Sequence, residues 1–125
     1  MKSPRNLVGL KQFQVNERRR QLLQLDMMIA DFDRMAGELE FQINAEEMKT
    51  GIIDINHFAY PTFAKAARQR RENLKNSQSD LLQQRATAES LLIEAEADLS
   101  RAEMLESRDS KGHGVSIENR STMTS

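Results

Sequence analysis

Lys49-Thr50-Gly51-Ile52-Ile53-Asp54-Ile55-Asn56-His57-Phe58-Ala59-Tyr60-Pro61 interrupts a chain that otherwise reads as helix. Gly51 accepts the left-handed conformation that closes a helix. Pro61 lacks the N–H that a helix start does not need, and its φ is already helical. Ser3-Pro4 carries the same start signal at the other end of the first segment. The punctuation predicts one helix over about 4–49, a linker over 50–60 and a second helix over about 61–108. Residues 109–125 are rich in Ser, Thr and Gly. They hold too little apolar surface to offset their ordering entropy and are expected to be a disordered tail.

On the N-terminal side of the break, Val8, Val15, Leu22, Leu25, Ile29, Phe32, Ala36, Leu39 and Ile43 recur at 3-4 spacing. Lys11, Arg18 and Glu46 fill the remaining places of the stripe. A repeat sustained this long predicts a coiled-coil seam rather than one face of a globular helix. On the other side the stripe is weaker: Phe63, Ala67, Leu74, Leu81, Ala88, Leu91, Ala95, Ala102 and Leu105, with Leu92 and Leu99 in a shifted phase. Either helix alone would be marginal in water, so the stripes must pack.

Charge selects the partner. Residues 2–20 carry net +5, residues 26–47 net −6, residues 64–75 net +4 and residues 80–106 net −5. Folding the chain back near residue 55 brings every block against its opposite, whereas parallel helices would bring like against like. Single exposed ion pairs contribute little, but a consistent block pattern penalises the wrong orientation. The expected fold is all-α: a long antiparallel two-helix coiled-coil hairpin over residues 1–108. Ile43 is expected to meet Ala67, Ala36 to meet Leu74, Phe32 to meet Ser77, Leu22 to meet Ala88 and Val8 to meet Ala102. Large residues then face small ones, as close packing requires. Most apolar residues are expected to be consumed by this seam. A continuous helix through the linker, pairing in a dimer, is the competing arrangement, against which Gly51 and Pro61 stand.

Composition narrows the function. The chain has 125 residues and no Cys, which excludes disulfides, Cys-ligated zinc and a thiol nucleophile. Its net charge of −1 argues against a uniformly basic nucleic-acid binder. No apolar run approaches a bilayer span, and the N-terminus has no secretory-type apolar stretch. A soluble, cytoplasmic protein is expected. His57 and His113 have no metal-ligand spacing around them, no Gly-rich phosphate loop occurs, and no paired carboxylates are set for acid–base work. Neither an enzyme nor a cofactor-binding protein is expected.

Two features have a functional reading. Arg18, Arg19 and Arg20 cannot all face one partner helix, and Lys65, Arg68, Arg70 and Arg71 form a second basic cluster. Both clusters can pair across the seam, or recognise an acidic protein surface through guanidinium forks. Phe58, Tyr60 and Phe63 place half of the six aromatic residues within six positions at the end of the linker and the start of the second helix. They can plug the end of the hairpin, or present anchors to a partner.

Leu10-Lys11-Gln12-Phe13-Gln14-Val15 with Arg18-Arg19-Arg20, Met28-Ile29-Ala30-Asp31-Phe32, and above all the run His57-Phe58-Ala59-Tyr60-Pro61-Thr62-Phe63-Ala64-Lys65-Ala66-Ala67-Arg68-Gln69-Arg70-Arg71 resemble the flagellar export protein FliJ family in its alphaproteobacterial form. The resemblance runs over roughly residues 1–106. It implies a non-catalytic stalk in the hexameric ring of the flagellar type III export ATPase, needed for flagellum assembly and motility. The implied partners are that ATPase, the export gate membrane protein and export chaperones, with no nucleic acid and no membrane insertion. The implied location is the cytoplasmic face of the flagellar basal body. By analogy Arg5, Lys11, Arg18, Arg19 and Arg20 would face the ATPase, and Phe58, Tyr60, Phe63, Arg68 and Arg71 the export gate. A soluble export chaperone or general coiled-coil adaptor is the alternative.

Overall fold

The protein, seen in a computed structural model, is an all-α hairpin of two long helices packed against each other. Helix α1 spans Pro4–Thr50 and helix α2 spans Thr62–Thr124. The structure describes the backbone of residues 4–124 and the side chains of residues 6–110. The expected cap at Ser3 lies outside the described residues. Over 109–124, where a disordered tail is expected, the backbone instead continues α2, and the side chains from residue 111 onward lie outside the described residues.

The break forms as its residues dictate. Gly51 has φ of +74°, and its N–H donates to the Glu47 carbonyl at 2.8 Å, closing the last turn of α1. The Thr50 hydroxyl donates to the Glu46 carbonyl at 3.1 Å. Asp54 Oδ1 accepts the Asn56 N–H at 3.0 Å, an Asx turn. Two successive backbone turns follow, from His57 N–H to the Asp54 carbonyl and from Tyr60 N–H to the His57 carbonyl. The Pro61 carbonyl then accepts the first helical bond of α2, from Lys65.

The chain forms two compact units. In the unit of residues 23–87, Leu39, Ile43 and Ala67 are buried together with Leu74 packed on them. Phe32 lines a shallow cleft with Leu74 and Ser77. Arg71 with Glu40, Arg85 with Asp26 and Gln78 with Asp33 join the helices antiparallel, close to the expected register. In the unit that pairs the chain up to Leu22 with the chain from Ala88, the buried residues are Val15, Ala88, Ala95 and Ala102. Arg19 reaches Glu96 there at 3.3 Å.

Two seam expectations need correction. Phe63 and Leu105 lie outside the seam, exposed. Ala64 enters it instead, because neighbouring helical residues point about 100° apart and only one of Phe63 and Ala64 can face inward. Nor does the seam consume most of the apolar side chains. Phe13, Leu23, Met27, Phe41, Met48 and Ile93 are all exposed, since a two-helix seam covers only one side of each helix.

Candidate functional site

The linker residues separate into a buried latch and an exposed tip. Tyr60 is buried at 7 % exposure. Its hydroxyl donates to Glu47 Oε2 at 2.8 Å and accepts from Arg68 Nε at 2.8 Å. Arg68 Nη2 donates to the same Glu47 oxygen at 2.7 Å. Three side chains, one from α1, one from the linker and one from α2, thus close a ring of charge-assisted bonds. The Arg68 and Tyr60 hydrogen bonds to Glu47 hold its carboxyl below the usual carboxylate range, against the opposing effect of burial. The bonds from Glu47 and Tyr60 raise the Arg68 guanidinium in return. Arg68 Cζ also lies 5.9 Å from the Tyr60 ring centre.

Outside this latch the tip is apolar. Phe58 is 97 % exposed and stacks on His57 with ring centres 4.7 Å apart. The His57 ring is held in turn, because its Nδ1 accepts the Ala59 N–H at 3.0 Å. Phe63, Ile53 and Met48 are exposed as well. Lys65, Arg68, Gln69, Arg71 and Glu72 line a cleft of about 300 Å³ with Ile55. Of the five residues expected on the gate side, Phe58 and Phe63 therefore present surface. Tyr60 and Arg68 hold the loop on the helices. Arg71 is mostly buried, 3.6 Å from Glu40, with its Nε shielded from solvent and without a hydrogen bond.

The basic cluster of α1 belongs to the other unit. Arg19 is the member that crosses to α2. Arg20 grips Glu17 at 2.6 and 2.7 Å, and Arg18 donates to Gln21 at 3.1 Å, both within α1. Lys11 is half-buried. The side chain of Arg5 lies outside the described residues. An open groove of about 670 Å³ runs here between Phe13, Glu17 and Arg18 on α1 and Leu91, Glu94 and Asp98 on α2.

Glu47 is the member that sequence reasoning missed. It reads as one acid of the 26–47 block, and its signal is positional. It lies one turn beyond Ile43 on α1, and the long side chain of Arg68, beside Ala67 on α2, reaches about a turn along the seam to meet it. Among the described residues no group of three or more His, Asp or Glu side chains could hold a metal ion. No helix among them is long and apolar enough to cross a membrane. Comparison of the chain with family models, with curated proteins and with solved structures finds no match.

Proposed function

We propose that the chain is a non-catalytic stalk and coupling component of the flagellar type III export apparatus, binding the export ATPase ring and the export gate. The observation that carries this reading is the division of labour at the tip. Phe58 on the loop and Phe63 in the first turn of α2 project as exposed aromatic anchors, while Tyr60, Glu47 and Arg68 tie the loop to both helices. A preorganised loop loses little entropy when it docks, and aromatic anchors dominate binding energy. The residues that carry the family resemblance include this same stretch, and a helical hairpin is compatible with a rod that acts by transmission rather than chemistry. In this reading the arginines at 18, 19 and 20, with Arg5 and Lys11, face the ATPase, and the protein works at the cytoplasmic face of the basal body.

The double variant Phe58→Ala/Phe63→Ala is expected to keep its helix content and unfolding midpoint, to lose binding to the cytoplasmic domain of the export gate protein, and to abolish swimming. Normal swimming of cells carrying only that variant would count against the docking role. Light scattering of the mixture with assembled ATPase should give one copy per hexamer.

One observation favours the second reading, an export chaperone or coiled-coil adaptor. Exposed Phe13 and Ile93 flank the open groove of the unit that contains Ala88–Ala102. A complex with one copy per exported cargo and none per ATPase hexamer would select it.

A further inference from the structure

Helix α1 carries a second apolar stripe within the unit of residues 23–87, on the side turned away from α2. Leu23, Met27, Ala30, Gly37, Phe41 and Met48 recur there at 3-4 spacing, with Arg34 and Asn44 completing the rhythm. Met27, Phe41 and Met48 are 64 %, 75 % and 85 % exposed. Single exposed apolar residues are ordinary, but a heptad-ordered run of them over several turns has the form of a packing seam. The outward face of α2 in the same unit shows the contrast: Gln69, Asn76, Gln83 and Thr87 are polar and exposed.

Gly37 points the same way. It sits inside a helix, where glycine costs about 1 kcal/mol against alanine. A Cβ built on it would meet nothing within 4 Å. Among the described residues no contact uses the space left by the missing side chain. A glycine at this place leaves room for a close approach from outside.

Charge identifies the visitor. One edge of the stripe carries Asp26, Asp33 and Glu40, which are bound to Arg85, Gln78 and Arg71 of α2. The other edge carries Asp31 and Glu38, which share the single base Arg34 at 2.7 and 2.9 Å and remain more than half exposed. Carboxylates thus border the stripe on both sides. A second copy of the chain would bring the same acids against them, a like-charge contact that disfavours self-pairing. The polar outer face of α2 offers no apolar match either.

We propose that the outward face of α1 over residues 23–48 is a docking strip for one amphipathic helix of another protein, with apolar residues at 3-4 spacing and Lys or Arg at the flanking positions. The docked helix makes a local three-helix bundle, its small or apolar residues closing over Gly37 between Met27 and Phe41. This strip stands on its own observations and holds whether or not the chain serves flagellar export.

The test uses the full chain and two labelled synthetic peptides of about four heptads. Both carry Leu and Ala on the seam; one has Lys at the flanking positions and the other Glu. Fluorescence anisotropy should show the Lys-flanked peptide binding at least about tenfold more tightly than the Glu-flanked one, with the difference shrinking in salt. Met27→Glu/Phe41→Glu should abolish binding while leaving circular dichroism and the unfolding midpoint of the hairpin unchanged. Gly37→Leu should raise the midpoint, because a glycine has left a helix, and still weaken the peptide by at least about tenfold. Equal binding of the two peptides, or undiminished binding by Met27→Glu/Phe41→Glu, would overturn the proposal. So would a dimer in sedimentation that Phe41→Glu dissolves, since the strip would then belong to a second copy.

Discussion

The Tyr60 hydroxyl donates a hydrogen bond to one charged group and accepts one from another, and this double role makes it hard to replace. Tyr60→Phe keeps the ring in place but deletes both bonds, leaving Glu47 and Arg68 with each other alone. A loss of about 1–2 kcal/mol is expected, read from urea unfolding with an unchanged slope. Glu47 sets the pH response. Its carboxyl is held below the usual range, so the folded state binds this proton more weakly than the unfolded chain. Its contribution is complete above the ordinary carboxylate pKa of about 4.3 and is lost as pH falls through the lower folded value. Thermal midpoints of the wild type and Glu47→Gln should therefore lie apart at neutral pH and converge in acid; a constant gap would refute the linkage. None of this latch is visible in local sequence pattern. Tyr60 reads as one of three equivalent aromatics, and the bonds that set it apart join it to residues 13 and 8 positions away on two different helices.

Two glycines of the described chain have opposite roles at the scale of the element. Gly51 ends α1 in a left-handed conformation, where an alanine meets open space but a strained backbone. Gly51→Ala should cost about 1–2 kcal/mol. Gly37 lies in ordinary helical space with nothing near it, so Gly37→Ala should stabilise the protein by about 0.5–1 kcal/mol. Denaturant midpoints of the two variants should move in opposite directions. The helix stop was legible from Gly51 alone, because its chemistry needs no partner. The way α2 enters the seam was less so. Phe63 and Ala64 are both apolar neighbours, and which one turns inward depends on where Tyr60 and Pro61 start the helix.

At the scale of the whole molecule the choice is between a chain folded on itself and two chains paired through an unbroken helix. With cysteines placed at Ile43 and Ala67, which are buried together, a short bis-maleimide should link residues within one chain. The product should run at the monomer mass of about 14 kDa; a linked dimer would mean that the helices pair between chains. The chain has no native cysteine to confuse the result. The helices, their stop and restart, and their antiparallel pairing were all legible along the chain. Those depend on spacing along one chain and on the order of charge blocks, and both are written linearly. Which side chains the fold uses and which it leaves was set by packing in three dimensions. Two helices can bury one stripe each, so Tyr60 went inside, Phe58 and Phe63 stayed out, and the face of α1 bearing Met27, Gly37 and Phe41 was left uncovered. Burial is a property of what lies opposite a residue, and among the described residues nothing lies opposite that face.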